Sequence, residues 1–233
     1  MSRSPVSVLL VAAASVALSW GCGGKAAPSA PEGAAGSRTE AASSPTGDGG
    51  RVLVKDDFSD PTSGWERERD DSYRSDYADG AYEIVNSDTN LITRGMLEGR
   101  EVRSGDVSVT ARQTAGDPGI RFGLVLRYGN DGFVQAGITG DGQAFLGVAR
   151  YEGYGLTHRP ERESFAAVRT GGEANRLRVV LQGKTATLYV NGERFKQVDD
   201  VDINGTGLGL FSTSEKKPSR VVFDDFELRS LPE

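Results

Sequence analysis

Residues 175–198 read NRLRVVLQGKTATLYVNGERFKQV, and their alternation decides the fold. Apolar residues recur at every second position of NRLRVVL, the period of a strand with one buried face. The run stops at a turn at Gln182-Gly183, resumes as TATLYV, stops again at Asn191-Gly192 and continues as ERFKQV. Asn-Gly between alternating apolar residues is the strongest short-range hairpin signal, because both positions tolerate positive φ.

Working outward, the same period fills the rest of the C-terminal part. Val107, Val109 and Ala111 alternate in Asp106–Gln113. Phe122, Leu124, Leu126 and Tyr128 share one parity of the next run, and Gly123, Val125 and Arg127 the other. Asp131-Gly132 and Asp141-Gly142 bracket Phe133–Ile138, and Gln143–Arg150 follows. Only Glu161–Arg169, behind Arg159-Pro160, has a composition suited to two helical turns. Many short strands with turn dipeptides between them predict an all-β, antiparallel two-sheet sandwich or jelly roll. A parallel α/β sheet has no room for its crossover helices. The ends echo each other, VLVKDDF at 52–58 and VVFDDFEL at 221–228, and are expected to lie side by side as first and last strands. Residues 51–233 form one domain of 183 residues, long enough to bury roughly 70% of its unfolded surface.

Residues 1–50 have another character. Arg3 precedes VSVLLVAAASVAL at 6–18, a run too short for the ~20 apolar residues of a membrane span. A basic start, a short apolar run and small residues after it read as an export signal, 1–21. Leu18-Ser19-Trp20-Gly21-Cys22 resembles a bacterial lipoprotein signal, in which the Cys is lipidated and becomes the mature N-terminus. Ser19 and Trp20 depart from that family's usual Leu and small residue. Ordinary cleavage after Ser19-x-Gly21 is the rival reading, and would release a secreted protein with an unpaired thiol. Lipidation explains why the one Cys of the chain stands here, and a multiply acylated Cys22 anchors stably to a membrane. Residues 23–50 contain 21 Ala, Gly, Pro or Ser out of 28. Such a stretch cannot offset its ordering entropy by burial, so 22–50 is expected to be a disordered tether. The expected location is the cell envelope.

Composition excludes several functions. One Cys and one His allow neither an internal disulfide nor a four-ligand zinc site. The chain has 27 Lys+Arg against 33 Asp+Glu, and the whole net charge of −6 belongs to 51–233. That argues against nucleic acid and other anionic partners.

DDFSDPTSGW (56–65), FGLVLRY (122–128), NRLRVVLQGKTATLYVNGE (175–193) and GLGLF (207–211) before FDDFEL (223–228) resemble concanavalin A-like lectin/glucanase sandwiches. The similar branch is the laminin-G-like, 3-keto-disaccharide-hydrolase type of bacterial surface lipoproteins. The resemblance implies a jelly roll with its ligand on a concave sheet. It does not choose among lectin, glycosidase and adhesion module, because a fold does not carry a function.

A glycosidase needs two carboxylates flanking the bond, and the glucanases' Glu-x-Asp-x-x-Glu run is absent. Glu66–Asp71 interleaves Glu with Arg and reads as a solvated loop. His158 has no Gly-x-Ser-x-Gly partner, and Gly183-Lys184-Thr185 lacks the upstream glycine of a phosphate loop. If Phe122, Leu124 and Leu126 face the core, Arg127 faces outward with Val125. Gln135 lies near it when Val134, Ala136 and Ile138 are the inward set. Tyr151 and Tyr154 form a rim. These four are the ligand-binding candidates, on a face otherwise smooth with Gly123, Gly137, Gly147 and Ala149. Trp65 is expected to be packed. The resemblance leaves a calcium site at Asp57, Asp224 and Asp225 open against edge protection; no other cofactor is expected. The preferred expectation is a lipid-anchored surface module that binds a glycan or envelope component without catalysis. A glycoside hydrolase and a structural envelope protein are the alternatives.

Overall fold

The computed structural model describes residues 50–152 and 155–231. The expected export signal, Cys22, the expected tether to Gly49, and Tyr154 lie outside the described residues. Among the described residues there is no helix, and sixteen strands form two antiparallel sheets.

In chain order the strands are β1 (Val52–Asp56), β2 (Glu68–Arg69), β3 (Tyr73–Ala78), β4 (Ala81–Asn86), β5 (Ile92–Met96), β6 (Gly105–Ala115), β7 (Arg121–Gly129) and β8 (Gly132–Thr139). Then come β9 (Gln143–Glu152), β10 (Gly155–His158), β11 (Glu163–Ser164), β12 (Asn175–Gln182), β13 (Thr185–Val190), β14 (Glu193–Val198), β15 (Gly207–Thr213) and β16 (Ser219–Arg229). Nine make the sheet β14-β13-β12-β6-β16-β4-β3-β2, with β1 added to β16. Seven make the sheet β10-β9-β8-β7-β15-β5, with β11 added to β9.

The opening stretch forms three adjacent strands as read. Leu177, Val179 and Leu181 are buried, and in β13 they meet Val190, Leu188 and Ala186 across the ladder. Asn191 and Gly192 both take positive φ, 52° and 88°, the requirement of a two-residue primed turn. Asn191 is further fixed by its side chain, which accepts the Arg176 N–H and donates to the Ala167 carbonyl, 2.8 and 2.7 Å.

The core is the interdigitation of inward faces from both sheets. Val107, Val109 and Phe223 of one sheet pack in the same cluster as Phe122, Leu124, Leu126, Val134 and Ala136 of the other. Trp65 is buried at 3% exposure, edge-on to Phe226 and Phe58 at centroid distances of 4.9 and 5.4 Å. Its indole N–H donates to Asp56 at 2.9 Å, and Ser63 Oγ donates to the same carboxylate oxygen.

The echoing ends do pair, Asp56 opposite Phe226 and Val54 opposite Leu228. Two local expectations are corrected. Residues 161–169 form no helix, because Glu163 and Ser164 pair with Ala144 and Gln143 on the edge of β9. In β7, Arg127 takes φ 51° and the ladder slips between Leu126 and Gly129. That bulge turns Arg127 toward the space between the sheets rather than outward with Val125.

Candidate functional site

The outer face of the seven-stranded sheet is built from the residues that alternate with the core. On β5, Thr93 and Gly95 are buried inward. Gly95 is required there, since a Cβ would stand 2.0 Å from the Tyr82 hydroxyl. Arg94 and Met96 therefore project to the outer side. By the same alternation β7 presents Val125, and β8 presents Phe133 and Gln135. Phe145, Ala149 and Tyr151 come from β9. The bulge substitutes Tyr128 for Arg127 on this face. Val125, Phe133, Phe145, Ala149 and Phe211 form a second apolar cluster, separate from the core, with Tyr128, Tyr151 and Leu156 packed against it.

Arg94 crosses this cluster. Its guanidinium carbon lies 5.3 Å from the ring centroids of both Tyr128 and Phe133, within the range of a cation–π contact. One terminal nitrogen donates to the Tyr151 hydroxyl at 2.9 Å, while the buried Nε has no hydrogen-bond partner. Gln135, on the same face, is 1% exposed, and its Oε1 also lacks a partner. Buried polar atoms are usually satisfied; these two, like Ser75 Oγ and Gln113 Oε1 elsewhere in the sandwich, have no partner among the described residues. Burial, reinforced by the Tyr128 hydroxyl, pushes the Tyr151 phenol up to about 12, so it stays a neutral donor at ordinary pH.

At the β5 edge the face opens into a cleft of about 370 Å³, lined by Glu66, Glu68, Tyr73, Arg94, Met96 and Tyr128 among others. Glu66 is held by the Met96 N–H at 3.1 Å, and Glu68 accepts the Tyr73 hydroxyl at 3.3 Å. At the far end of β7, Arg121 lies 4.8 Å over the Phe145 ring and donates to the Pro160 carbonyl at 2.8 Å. Pro160 closes over Gly147, where a Cβ would come within 3.2 Å of its ring. The strands β5, β7, β8 and β15 carry no Asp or Glu, so they bring no carboxylate pair to the face.

Of the residues named from sequence, Gln135 and Tyr151 stand on this face. Arg127 does not: at 6% exposure it donates to the carbonyls of Arg103, Val201 and Gly183. Burial, followed by repulsion from Arg103, lowers its pKa. The arginine of the face is Arg94, and sequence reasoning missed it because nothing in ITRGM marks one parity as buried. Tyr128 was assigned to the opposite side.

The three aspartates of the suggested calcium site are not assembled for one. Asp57 and Asp225 line a hollow of about 320 Å³ that also holds Lys55 and Arg176. Asp57 Oδ1 caps Ser59 at 2.6 Å, and Asp224 Oδ1 takes the Asp225 N–H at 2.7 Å. Among the described residues no three His, Cys, Asp or Glu side chains gather as metal ligands.

No protein-family model and no curated protein sequence matches the chain. Solved structures do. A galectin-like protein of unknown function from Bacillus subtilis aligns at TM-score 0.59 and 9% identity, over 79% of this chain and 99% of that one. The catalytic domain of an endo-1,3-β-glucanase (laminarinase) from Thermotoga petrophila aligns at 0.57 and 12%, over 77% and 97%. A GlcNAcα1-4Gal-releasing endo-β-galactosidase from Clostridium perfringens aligns at 0.56 and 12%, over 78% of this chain and 63% of the other. At such identities the likeness establishes the fold: a concanavalin A-like, galectin-like jelly roll.

Proposed function

We propose that the protein is an exported, lipid-anchored surface module that binds a glycan on the outer face of its seven-stranded sheet without cleaving it. Export and anchoring rest on the apolar run at 6–18, the placement of Cys22 and the tether after it. The binding reading is carried by Arg94, braced on Tyr128 and Phe133 in the wall of the cleft. A sugar hydroxyl is donor and acceptor at once, which suits a cleft lined by the Arg94 guanidinium and the Glu66 and Glu68 carboxylates. Its C–H faces pack on aromatic rings. Laminarinase and endo-β-galactosidase names among proteins of like fold support the same ligand class. The lack of carboxylates on β5, β7, β8 and β15 favours binding over cleavage.

A glycan array probed with the purified protein is expected to give hits that Arg94→Met and Tyr128→Ala abolish. A blank array, or hits indifferent to both variants, overturns the reading. Cys22→Ser is expected to move the protein from the membrane fraction to the soluble one.

A second reading, hydrolysis of a 3-keto-disaccharide or related glucoside, is favoured by one observation: Glu66 and Glu68 line the cleft beside Arg94. It requires sugar release from a 3-keto-glycoside, lost in Glu66→Gln and Glu68→Gln.

A further inference from the structure

The net charge of −6 is an average that one end of the candidate face contradicts. Arg121 opens β7, and Arg159 and Arg162 bracket Pro160-Glu161 in the loop between β10 and β11. The loop and the strand are tied by two reciprocal bonds, Arg121 to the Pro160 carbonyl and Arg162 to the Gly119 carbonyl, 2.8 and 2.7 Å. Neutral backbone oxygens thus fix two of the cations, and none of the three takes part in an ion pair among the described residues. Glu215 acts on Arg121 only at longer range. Burial first, then repulsion from Arg162 and Arg159, lowers the Arg121 pKa to about 10. The exposed Glu161 lies in the same loop but forms no ion pair with them among the described residues. The three guanidiniums therefore keep N–H donors that an oxyanion can take, most strongly in paired contacts.

We infer that Arg121, Arg159 and Arg162 form the oxyanion-binding end of the face, so that its ligand is an acidic polysaccharide bearing carboxylate or sulfate groups. The inference rests on the glycan reading and narrows it. Arg121 and Tyr128 are seven residues apart on β7, about 20 Å at ~3.3 Å per residue less the bulge. A chain of several sugars therefore reaches from the aromatic cluster around Arg94 to the three arginines. The strands between add no negative charge to oppose it.

The test is binding of polygalacturonate, dextran sulfate, laminarin, inorganic sulfate and single-stranded DNA to the purified full chain, by calorimetry at two salt concentrations. One or both acidic polysaccharides are expected to bind more tightly than laminarin, to weaken with salt, and to be displaced by sulfate at high concentration. Arg159→Gln and Arg162→Gln, both exposed positions, should each weaken that binding about tenfold. An unchanged thermal midpoint would show that the fold is intact. Arg121→Gln is the stronger variant; it and Arg162→Gln each remove one of the two bonds that tie the loop, and Arg159→Gln removes neither.

Laminarin binding as tightly as the acidic polymers, or acidic binding indifferent to the arginine variants, overturns the inference and leaves the glycan reading standing. No polysaccharide binding at all defeats both. DNA binding as tightly as the acidic polysaccharides also overturns it, because the patch is then an unselective cation surface.

Discussion

On the outer side of the nine-stranded sheet, Arg74 and Arg220 converge on Glu83, and Arg178 meets Asp106 at 2.7 Å. On the outer side of the seven-stranded sheet, Arg94 and Arg121 lie over aromatic rings and reach no carboxylate among the described residues. Both faces use the same side chain for different ends. In the first, the ladder places Arg74 and Arg220 on either side of Val85, diagonal to Glu83, which is the cross-strand geometry that stabilises a sheet. In the second, β5, β7, β8 and β15 carry no Asp or Glu to supply the counter-charge. A face that completes its own ion pairs has no vacancy for a ligand. A face that leaves charge and hydrogen-bonding atoms unmatched has one.

The sharpest way to break this contrast is to move between the sheets. Arg127 belongs to the same strand as Arg121 but is turned inward, where it satisfies three carbonyls. Arg127→Met should cost about 3 kcal/mol, because it leaves buried acceptors unmade. The expected readout is a lower urea midpoint with an unchanged m-value. A loss below about 1 kcal/mol would show that the bulge does not depend on this side chain. Glu83→Ala should come next, at about 2 kcal/mol. It removes the carboxylate from between two arginines, but their outer ends can rehydrate, so the cost falls short of a fully buried pair. Arg94→Met should change stability by less than about 1 kcal/mol, the scale of a partly exposed cation–π contact. The same substitution should abolish glycan binding. If Arg94→Met destabilised the fold as much as Glu83→Ala, the two faces would not differ in kind.

What the sequence made legible follows the range of the interactions involved. The primed turn at Asn191-Gly192 is written in two adjacent residues, and the buried parity of β12 in a run of seven, so both could be read directly. The pairing of β1 with β16 was readable because the two segments repeat DDF. The inward turn of Arg127 was not, since it depends on how β7 aligns with the adjoining β8 and with β15, which is distant in sequence. Gly207 pairs with Tyr128 and Leu208 with Leu126, which leaves Arg127 as the extra residue. Asp56 and Asp57 illustrate the same limit. Asp57 looked suited to a surface metal site and Asp56 was given no role, yet Asp56 is 8% exposed beneath Trp65, and Asp57 caps the loop outside. One residue of register separates a buried hydrogen-bond acceptor from a solvated one. Arg94 was missed for a related reason. Its significance lies in Tyr128, Phe133 and Tyr151, which come from three other strands.

Acid provides the mildest probe of the contrast, because it discharges carboxylates and leaves arginines charged. Burial alone would raise the Asp76 carboxyl, but the Arg67 guanidinium at 2.7 Å and the Tyr77 N–H outweigh it and leave the group lowered. Asp57, Asp60 and Asp70 are lowered by their hydroxyl and backbone N–H donors in the loops. A carboxylate whose folded pKa lies below its unfolded value contributes stability that is complete above the unfolded value. That contribution is lost as pH falls through the folded one. The thermal midpoint should therefore hold above the ordinary aspartate range near ~4 and decline below it. Asp76→Asn should flatten the decline only slightly, since an exposed pair of this kind contributes less than about 1 kcal/mol. Arg94→Met, by contrast, should leave the acid profile parallel to that of the parent, because no carboxylate among the described residues is paired with Arg94. An acid profile that changed shape in Arg94→Met would reveal a carboxylate coupled to that arginine, with Glu66 and Glu68 across the cleft the residues to substitute next.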